Sequence, residues 1–168
     1  PFNIENIKVV TIEDQVASLM KEAPDLTLQQ FIIEPFPKGT ASVVGFAAVM
    51  LKEINPDAVM AILTADHVIG NLKEFHRLLE AGYQHAMEGR LVTLGIRPEY
   101  PSSGYGYIKV GEPINGNGGY LVEKFVEKPN LDTAADYIQS GNYYWNSGMF
   151  IWRADRILEE ISNHMPTL

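Results

Sequence analysis

The chain has 168 residues, of which 46% are hydrophobic and 20% charged, an ordinary composition for a globular protein. Its 13 Lys and Arg against 21 Asp and Glu give a formal net charge of −8, which disfavours nucleic acid and anionic membrane surfaces, partners that both call for clustered cations. The absence of cysteine excludes disulfides, thiolate zinc sites and cysteine nucleophiles.

The first segment, Pro1 to Asn6, has no basic n-region and does not begin with Met, so no signal peptide is expected and the chain reads as a piece of something longer. Ile7 to Thr11 is apolar and β-branched, which predicts a strand, with Thr11 capping a helix that carries Val16, Leu19 and Met20 on one face. Pro24 stops that helix. Phe31 to Glu34 predicts a second strand, ended by Pro35 and Pro37. Gly39-Thr40 opens a helix with Val43, Val44, Ala47, Leu51 and Ile54 on its buried stripe. Asn55-Pro56-Asp57 is a turn.

Val59 to Leu63 is a continuous apolar run, as in a parallel strand covered on both faces. Asn71, three residues before Glu74, starts a long helix that runs to Gly89. Leu91 to Ile96 is a fourth strand. Tyr107 to Val110 and Tyr120 to Glu127 flank the Gly- and Asn-rich run 115–119 and read as a hairpin with a flexible tip. A helix from Leu131 to Ser140 stops at Gly141, Met149 to Trp152 is a last strand, and a helix with Ile157, Leu158 and Ile161 ends at Pro166. Strand and helix alternate through the first half, which predicts an α/β fold: a doubly wound, mostly parallel, Rossmann-like sheet with a small β-hairpin excursion.

Open α/β sheets bind ligands beyond the carboxyl ends of their strands. Three polar groups fall there: Glu34 after the second strand, Thr64-Ala65-Asp66-His67 after the third, and Glu127-Lys128-Pro129 after the strand from Tyr120. Asp66 has the chemistry of a Mg²⁺ ligand, since that ion takes one or two carboxylates and completes its shell with water and phosphate oxygens; the competing reading is an Asx cap. His67 reads as a packed histidine. Glu127-Lys128 is either an exposed ion pair or a division of labour, with the carboxylate accepting sugar hydroxyls and the ammonium meeting a phosphate. Gly104-Tyr105-Gly106-Tyr107 is a turn or a place where backbone approaches a ligand. Glu34 through Thr40 leads into a helix N-terminus, which favours anions. Trp145-Asn146-Ser147-Gly148 is expected in a loop, where an aromatic beside an amide suits sugar recognition; the commoner reading is a core tryptophan with a turn asparagine.

Taken together, Ile33-Glu34-Pro35 with Thr40-Ala41, Thr64-Ala65-Asp66-His67-Val68-Ile69, Gly104-Tyr105-Gly106-Tyr107-Ile108, Phe125-Val126-Glu127-Lys128-Pro129 and Trp145-Asn146-Ser147-Gly148-Met149-Phe150 are similar to the motifs of the mannose-1-phosphate guanylyltransferases, also called GDP-mannose pyrophosphorylases. The resemblance covers essentially the whole chain. It implies attack of mannose 1-phosphate on the α-phosphate of GTP, with release of pyrophosphate and formation of GDP-mannose. It also implies that Mg²⁺, with Mn²⁺ as the other candidate, offsets the phosphate charge. By carry-over, Asp66 would hold the metal and Lys128 would meet the sugar phosphate, the two forming the catalytic pair. Gly106, Glu127, Asn146 and Tyr105 would line the sugar, and Glu34, Gly39 and Thr40 would lie near the guanine. The expected protein is a cytoplasmic enzyme with GTP and mannose 1-phosphate as partners and neither nucleic acid nor membrane; a homodimer is left open for the full-length protein.

Lys38-Gly39 stands where the family carries Arg-Asn, and Ser42 where it carries proline. The family's Gly-rich phosphate loop, of the type G-G-x-G-T-R, has no counterpart here. The chain is therefore expected to be an internal part, residues 1–168, of a nucleotidyltransferase domain without its N-terminal phosphate loop and its C-terminal portion, and not to turn over unaided. Another sugar-1-phosphate nucleotidyltransferase, using dTTP or glucose 1-phosphate, and a catalytically silent sugar-nucleotide-binding homologue remain as alternatives. A phospho-receiver fits poorly, because Thr11 stands where a receiver needs an acidic pair.

Overall fold

Short β-branched and aromatic runs become strands wherever a neighbour completes their hydrogen bonds, and the first such pair is β1 (Val9–Thr11) with β2 (Phe31–Ile33). They run parallel, with Val9 opposite Phe31 and Thr11 opposite Ile33. The computed structural model describes residues 2–36, 39–116 and 118–168. The chain forms two compact units, one reaching to Ala58 and including Arg153–Leu168, the other Val59–Trp152.

In the first unit, helix α1 (Glu13–Glu22) begins one residue later than the sequence suggests, with Ile12 at the N-cap. Thr11 is kept in the strand because its carbonyl accepts the Glu34 N–H at 2.9 Å. Its hydroxyl donates to Gln15 Oε1 at 2.7 Å instead of capping the helix. Helix α2 (Thr40–Ile54) starts where expected, at Gly39, whose φ of +90° is a conformation that side chains disfavour. Its buried face is Val44, Ala47 and Ala48; Ile54, placed by the sequence on that face, is exposed. It packs on helix α5 (Ala154–His164), so closely that a methyl group at Gly45 would sit 3.2 Å from Ile161 Cδ1. Arg153 fastens the start of α5 by bonds to Asp155 at 2.7 and 2.9 Å and to Asp57 at 3.2 Å.

The second unit holds a five-stranded sheet. Its strands are β3 (Val59–Ile62), β4 (Val92–Ile96), β5 (Tyr107–Pro113), β6 (Tyr120–Val126) and β7 (Tyr143–Arg153), in the order β3-β7-β5-β6, with β4 also on β7. Two helices accompany it. Helix α3 (Leu72–Met87) is capped by Asn71, whose side chain accepts the Glu74 N–H at 3.0 Å, and helix α4 (Leu131–Ser140) ends on a left-handed Gly141, both as the sequence predicts. Leu79 and Ala86 of α3 bury Ile151 of β7, with Val59, Phe75, Val92 and Leu94 packed around them. A Cβ at Gly82 would fall 2.3 Å from Ile151 Cδ1, so the absence of a side chain lets the helix lie this near the strand.

The α/β class and the hairpin excursion are as expected from the sequence. The strand directions are more mixed: β1 and β2 are parallel, while β4 with β7, β5 with β6 and β5 with β7 are antiparallel. The six-residue connection after Pro113 can only fold back as a hairpin, because a parallel partner needs a crossover of a dozen residues or so. β3 is also less enclosed than a doubly covered strand, with Met60 buried and Ala61 exposed. The larger correction concerns β7. It spans 11 residues, so Trp145-Asn146-Ser147-Gly148, expected in a loop, lies within a strand. The aromatic run Tyr143-Tyr144-Trp145 favours extended backbone, and the irregularity that Ser-Gly signals is absorbed as a bulge opposite Thr93 and Gly95. Among the described residues no helix is long and apolar enough to cross a membrane.

Candidate functional site

The register of β5 with its two neighbours sets the site. Tyr107 is opposite Val126 on β6 and opposite Trp145 on β7. One step outward on each antiparallel ladder, Gly106 therefore lies between Glu127 and Asn146. The Asn146 N–H donates to the Gly106 carbonyl at 2.8 Å, which continues the ladder past the end of β5. Directly opposed residues share a face of a sheet, and successive residues alternate. Tyr107 is fully buried, so Gly106, Glu127 and Asn146 occupy the opposite face together. A Cβ at Gly106 would stand 3.1 Å from Glu127 Oε2 and 3.6 Å from Asn146 Cβ, so the space that a side chain would take is left open between a carboxylate and an amide.

Lys128 joins this group through an unusual backbone. Its φ is +41°, the one positive value among the described non-glycine residues. In an extended chain its side chain would project away from that of Glu127; the left-handed conformation breaks the alternation, and Lys128 Nζ comes to 3.6 Å from Glu127 Oε1. Such conformations cost on the order of 1–3 kcal/mol and collect at ligand sites. Both side chains are well exposed, so the pair contributes little to stability and its charges face solvent.

The loop leading into β5 is fastened from below. The Tyr107 hydroxyl donates to the Ser102 carbonyl at 3.1 Å and accepts the Ser102 N–H at 3.0 Å. Tyr105 and Tyr100 lie against the Trp145 ring, with centroids 5.0 and 4.9 Å away. The hydrogen bond with Tyr105 raises the Tyr100 phenol above its ordinary pKa.

Asp66 follows β3 in a turn. Two residues earlier, the Thr64 methyl lies 3.3 Å from where a Gly148 Cβ would stand, which ties this segment to the bulge of β7. The Asp66 side chain is 85% exposed, and its nearest basic atom is His67 Nε2 at 4.0 Å. It forms no Asx cap among the described residues, so both carboxylate oxygens are available. No group of three or more His, Asp or Glu residues converges on a metal position among the described residues. A single open carboxylate does not make a protein cage, but it suits an ion such as Mg²⁺ that keeps its waters and binds substrate phosphates.

Glu34, Gly39 and Thr40 belong to the first unit. Among the described residues, Glu34 is the one ionisable side chain lining an otherwise mainly apolar cleft of about 410 Å³ formed with Phe36, Phe46, Val49 and Ile161. Gly39 and Thr40 are exposed at the start of α2, while Lys38 and Asn117, singled out in the base-binding turn and the hairpin tip, lie outside the described residues. Thus Gly106, Glu127, Lys128 and Asn146 are brought together, while Tyr105 lies tilted against the ring of Trp145, the residue opposite Tyr107. Asp66 shares their unit, with no hydrogen bond or ion pair to them among the described residues. Two supporting residues were not singled out in the sequence, Thr93, whose hydroxyl bonds the Met149 carbonyl, and Gly95, whose Cβ would meet Tyr144 Cβ at 2.9 Å; Ser147, named only within its motif, supports the bulge through its bond to the Leu94 carbonyl. The Thr-x-Gly spacing opposite Asn-Ser-Gly was the available signal.

The chain belongs to the nucleotidyl transferase family, whose model matches residues 2–168. Mannose-1-phosphate guanylyltransferase of Escherichia coli K12 is 42% identical over 91% of this chain, and that of Sinorhizobium fredii 38% identical over 94%. The alignments take in 33% and 31% of those proteins, so the chain spans about a third of the length of the curated relatives it matches. A crystal structure of a Thermus thermophilus protein described as mannose-1-phosphate geranyltransferase superposes with a TM-score of 0.84 at 32% identity, covering 96% of this chain and 46% of that one. The Helicobacter pylori mannose-6-phosphate isomerase structure gives 0.81 at 29% identity, covering 94% and 59%.

Proposed function

We propose that the protein carrying this chain transfers a guanylyl group from GTP to mannose 1-phosphate, giving GDP-mannose and pyrophosphate. The observation that carries the reading is the alignment of a carboxylate, an open glycine and an amide across three strands, with an ammonium brought to the same face. Carboxylate and amide match sugar hydroxyls, and the ammonium matches a phosphate. The similar proteins reported above from E. coli, S. fredii and H. pylori are all named for mannose phosphates, which favours mannose over other hexoses.

In this reading a phosphate oxygen of mannose 1-phosphate attacks the α-phosphorus of GTP, and the bond to the β-phosphate oxygen breaks as pyrophosphate leaves. Such displacements depend on positioning and charge stabilisation more than on protein nucleophiles. Glu127 and Asn146 hold the hexose, and Gly106 lets it approach the backbone. Lys128 offsets the charge of the attacking phosphate. Asp66 would hold Mg²⁺, or Mn²⁺, which supplies charge neutralisation at the triphosphate. Glu34, Gly39 and Thr40 take the nucleotide, with the Glu34 carboxylate able to accept from the ring and amino N–H groups of guanine.

The test is a product assay on the full-length protein with GTP, ATP, UTP and dTTP, each with mannose 1-phosphate and glucose 1-phosphate, read by mass spectrometry. GDP-mannose as the dominant product, formed at about 1 s⁻¹ or faster, is expected. A dominant dTDP- or UDP-hexose would reassign the substrate, and binding without turnover would identify a silent homologue.

A further inference from the structure

The Asn146 side chain is held in one orientation. Its Oδ1 accepts the Gly148 N–H at 3.2 Å and lies 3.4 Å from the Thr93 hydroxyl. A backbone N–H can only donate, so the atom facing it must be the amide oxygen, and the amide nitrogen is turned away. The Thr93 hydroxyl has one proton, which it shares between Asn146 Oδ1 and the Met149 carbonyl at 3.3 Å. The β-bulge makes these contacts possible. Thr93 pairs with Phe150 and Gly95 with Asn146, so Leu94 alone faces three residues of β7. The extra length is taken up around Gly148, which has φ +72° and whose N–H donates to Asn146 Oδ1. Ser147 secures the bulge by donating to the Leu94 carbonyl at 2.7 Å and accepting the Met149 N–H at 3.1 Å.

We infer that Thr93 is a positioning residue that, together with the Gly148 N–H, occupies the Asn146 oxygen and leaves the amide a hydrogen-bond donor only, so that Asn146 and Glu127 together select a ligand hydroxyl. With its oxygen occupied, Asn146 offers only N–H, which requires an acceptor. Glu127 offers only acceptor oxygens, which require a donor. A hydroxyl satisfies both at once. A phosphate or carbonyl oxygen fails against Glu127, and an ammonium fails against Asn146. Thr93 never meets the ligand; it sets which atom of Asn146 does. The identity of the ligand rests on the proposed sugar-phosphate reading of this site, whereas the fixed orientation of the amide does not.

The test compares Thr93→Val, which keeps the shape and removes the proton, with Thr93→Ser, which restores it. In the full-length protein, Thr93→Val should raise the KM for mannose 1-phosphate about fivefold and leave the KM for GTP unchanged, with Thr93→Ser within about twofold of the wild type. The ¹⁵N relaxation of the Asn146 side-chain NH₂ should report a rigid group in the wild type and Thr93→Ser, and a mobile one in Thr93→Val. Rigid behaviour in Thr93→Val, or a Thr93→Ser variant as impaired as Thr93→Val, overturns the inference. If the wild type does not bind mannose 1-phosphate at all, the substrate reading fails, and the relaxation measurement still decides whether Thr93 locks Asn146.

Discussion

Asn146 and Asp66 stand in the same unit but are held in opposite ways. Asn146 sits on a strand paired on both edges, its backbone bound to Gly106 and its side chain bound to Gly148 and Thr93. Asp66 sits in a turn, its carboxylate solvated and bonded to nothing else among the described residues. The difference separates two kinds of contribution. A residue built into a ladder contributes geometry, and disturbing it shifts its neighbours. A residue in an open turn contributes charge, and exchanging that charge leaves the fold as it was.

The largest effect should therefore come from the least structural change. Asp66→Asn should lower kcat of the full-length protein about 10²-fold or more with the melting temperature unchanged, as expected when a group that stabilises transferring charge is lost. A variant with normal turnover would remove Asp66 from the metal site, and an unstable one would show that the turn is a structural device. Next comes Gly106→Ala. The added methyl's one tight contact is the mobile end of Glu127, with the Val126 carbonyl at an ordinary 3.7 Å, so stability should change by less than about 1 kcal/mol. The carboxylate must yield its place, however, and the KM for mannose 1-phosphate should rise about tenfold with that for GTP unaffected. Unchanged sugar kinetics would mean that the opening at Gly106 is not where the hexose lies.

The smallest effect is expected in the first unit, at the Arg153–Asp155 pair at the start of α5. The hydrogen bond from Arg153 is the main cause holding the Asp155 carboxyl below the usual aspartate range. A lowered folded-state pKa stabilises above the unfolded value, 3.8 for aspartate, and that stabilisation is lost as pH falls through the folded value. About a third of the side chain is exposed, so the loss in Asp155→Asn at pH 7 should be about 1 kcal/mol or less. Urea melts should show the gap from wild type closing below pH 3.8, with both KM values unaltered. A gap that persists in acid would assign the role of Asp155 to packing.

What could be read from the sequence follows from how local each cause is. Asn71 with Glu74, Gly39 before α2 and Gly141 after α4 act within one helical turn, and all three stand where their chemistry put them. Strand direction depends on partners far along the chain, and the antiparallel pairs of β7 had no local mark. The bulge at Ser147-Gly148 looked like a loop because its glycine signals a turn, whereas the pairing that keeps it in a strand comes from β4, some fifty residues earlier. The residue types of the site were legible, but their meeting was not. Gly106 reaches Glu127 and Asn146 through the register of three strands, and Lys128 reaches the same face through a positive φ that a lysine before proline does not announce.

Whether Glu127 and Asn146 grip one ligand across Gly106 is decided by a double-mutant cycle on mannose 1-phosphate affinity. Glu127→Gln, Asn146→Ala and the double variant are compared with wild type by calorimetry on the full-length protein. The double variant should lose clearly less than the two single losses combined, with a coupling of about 1 kcal/mol or more. Losses that add to within about 0.5 kcal/mol would mean that the two residues act on separate ligands or on none, and would contradict a shared grip.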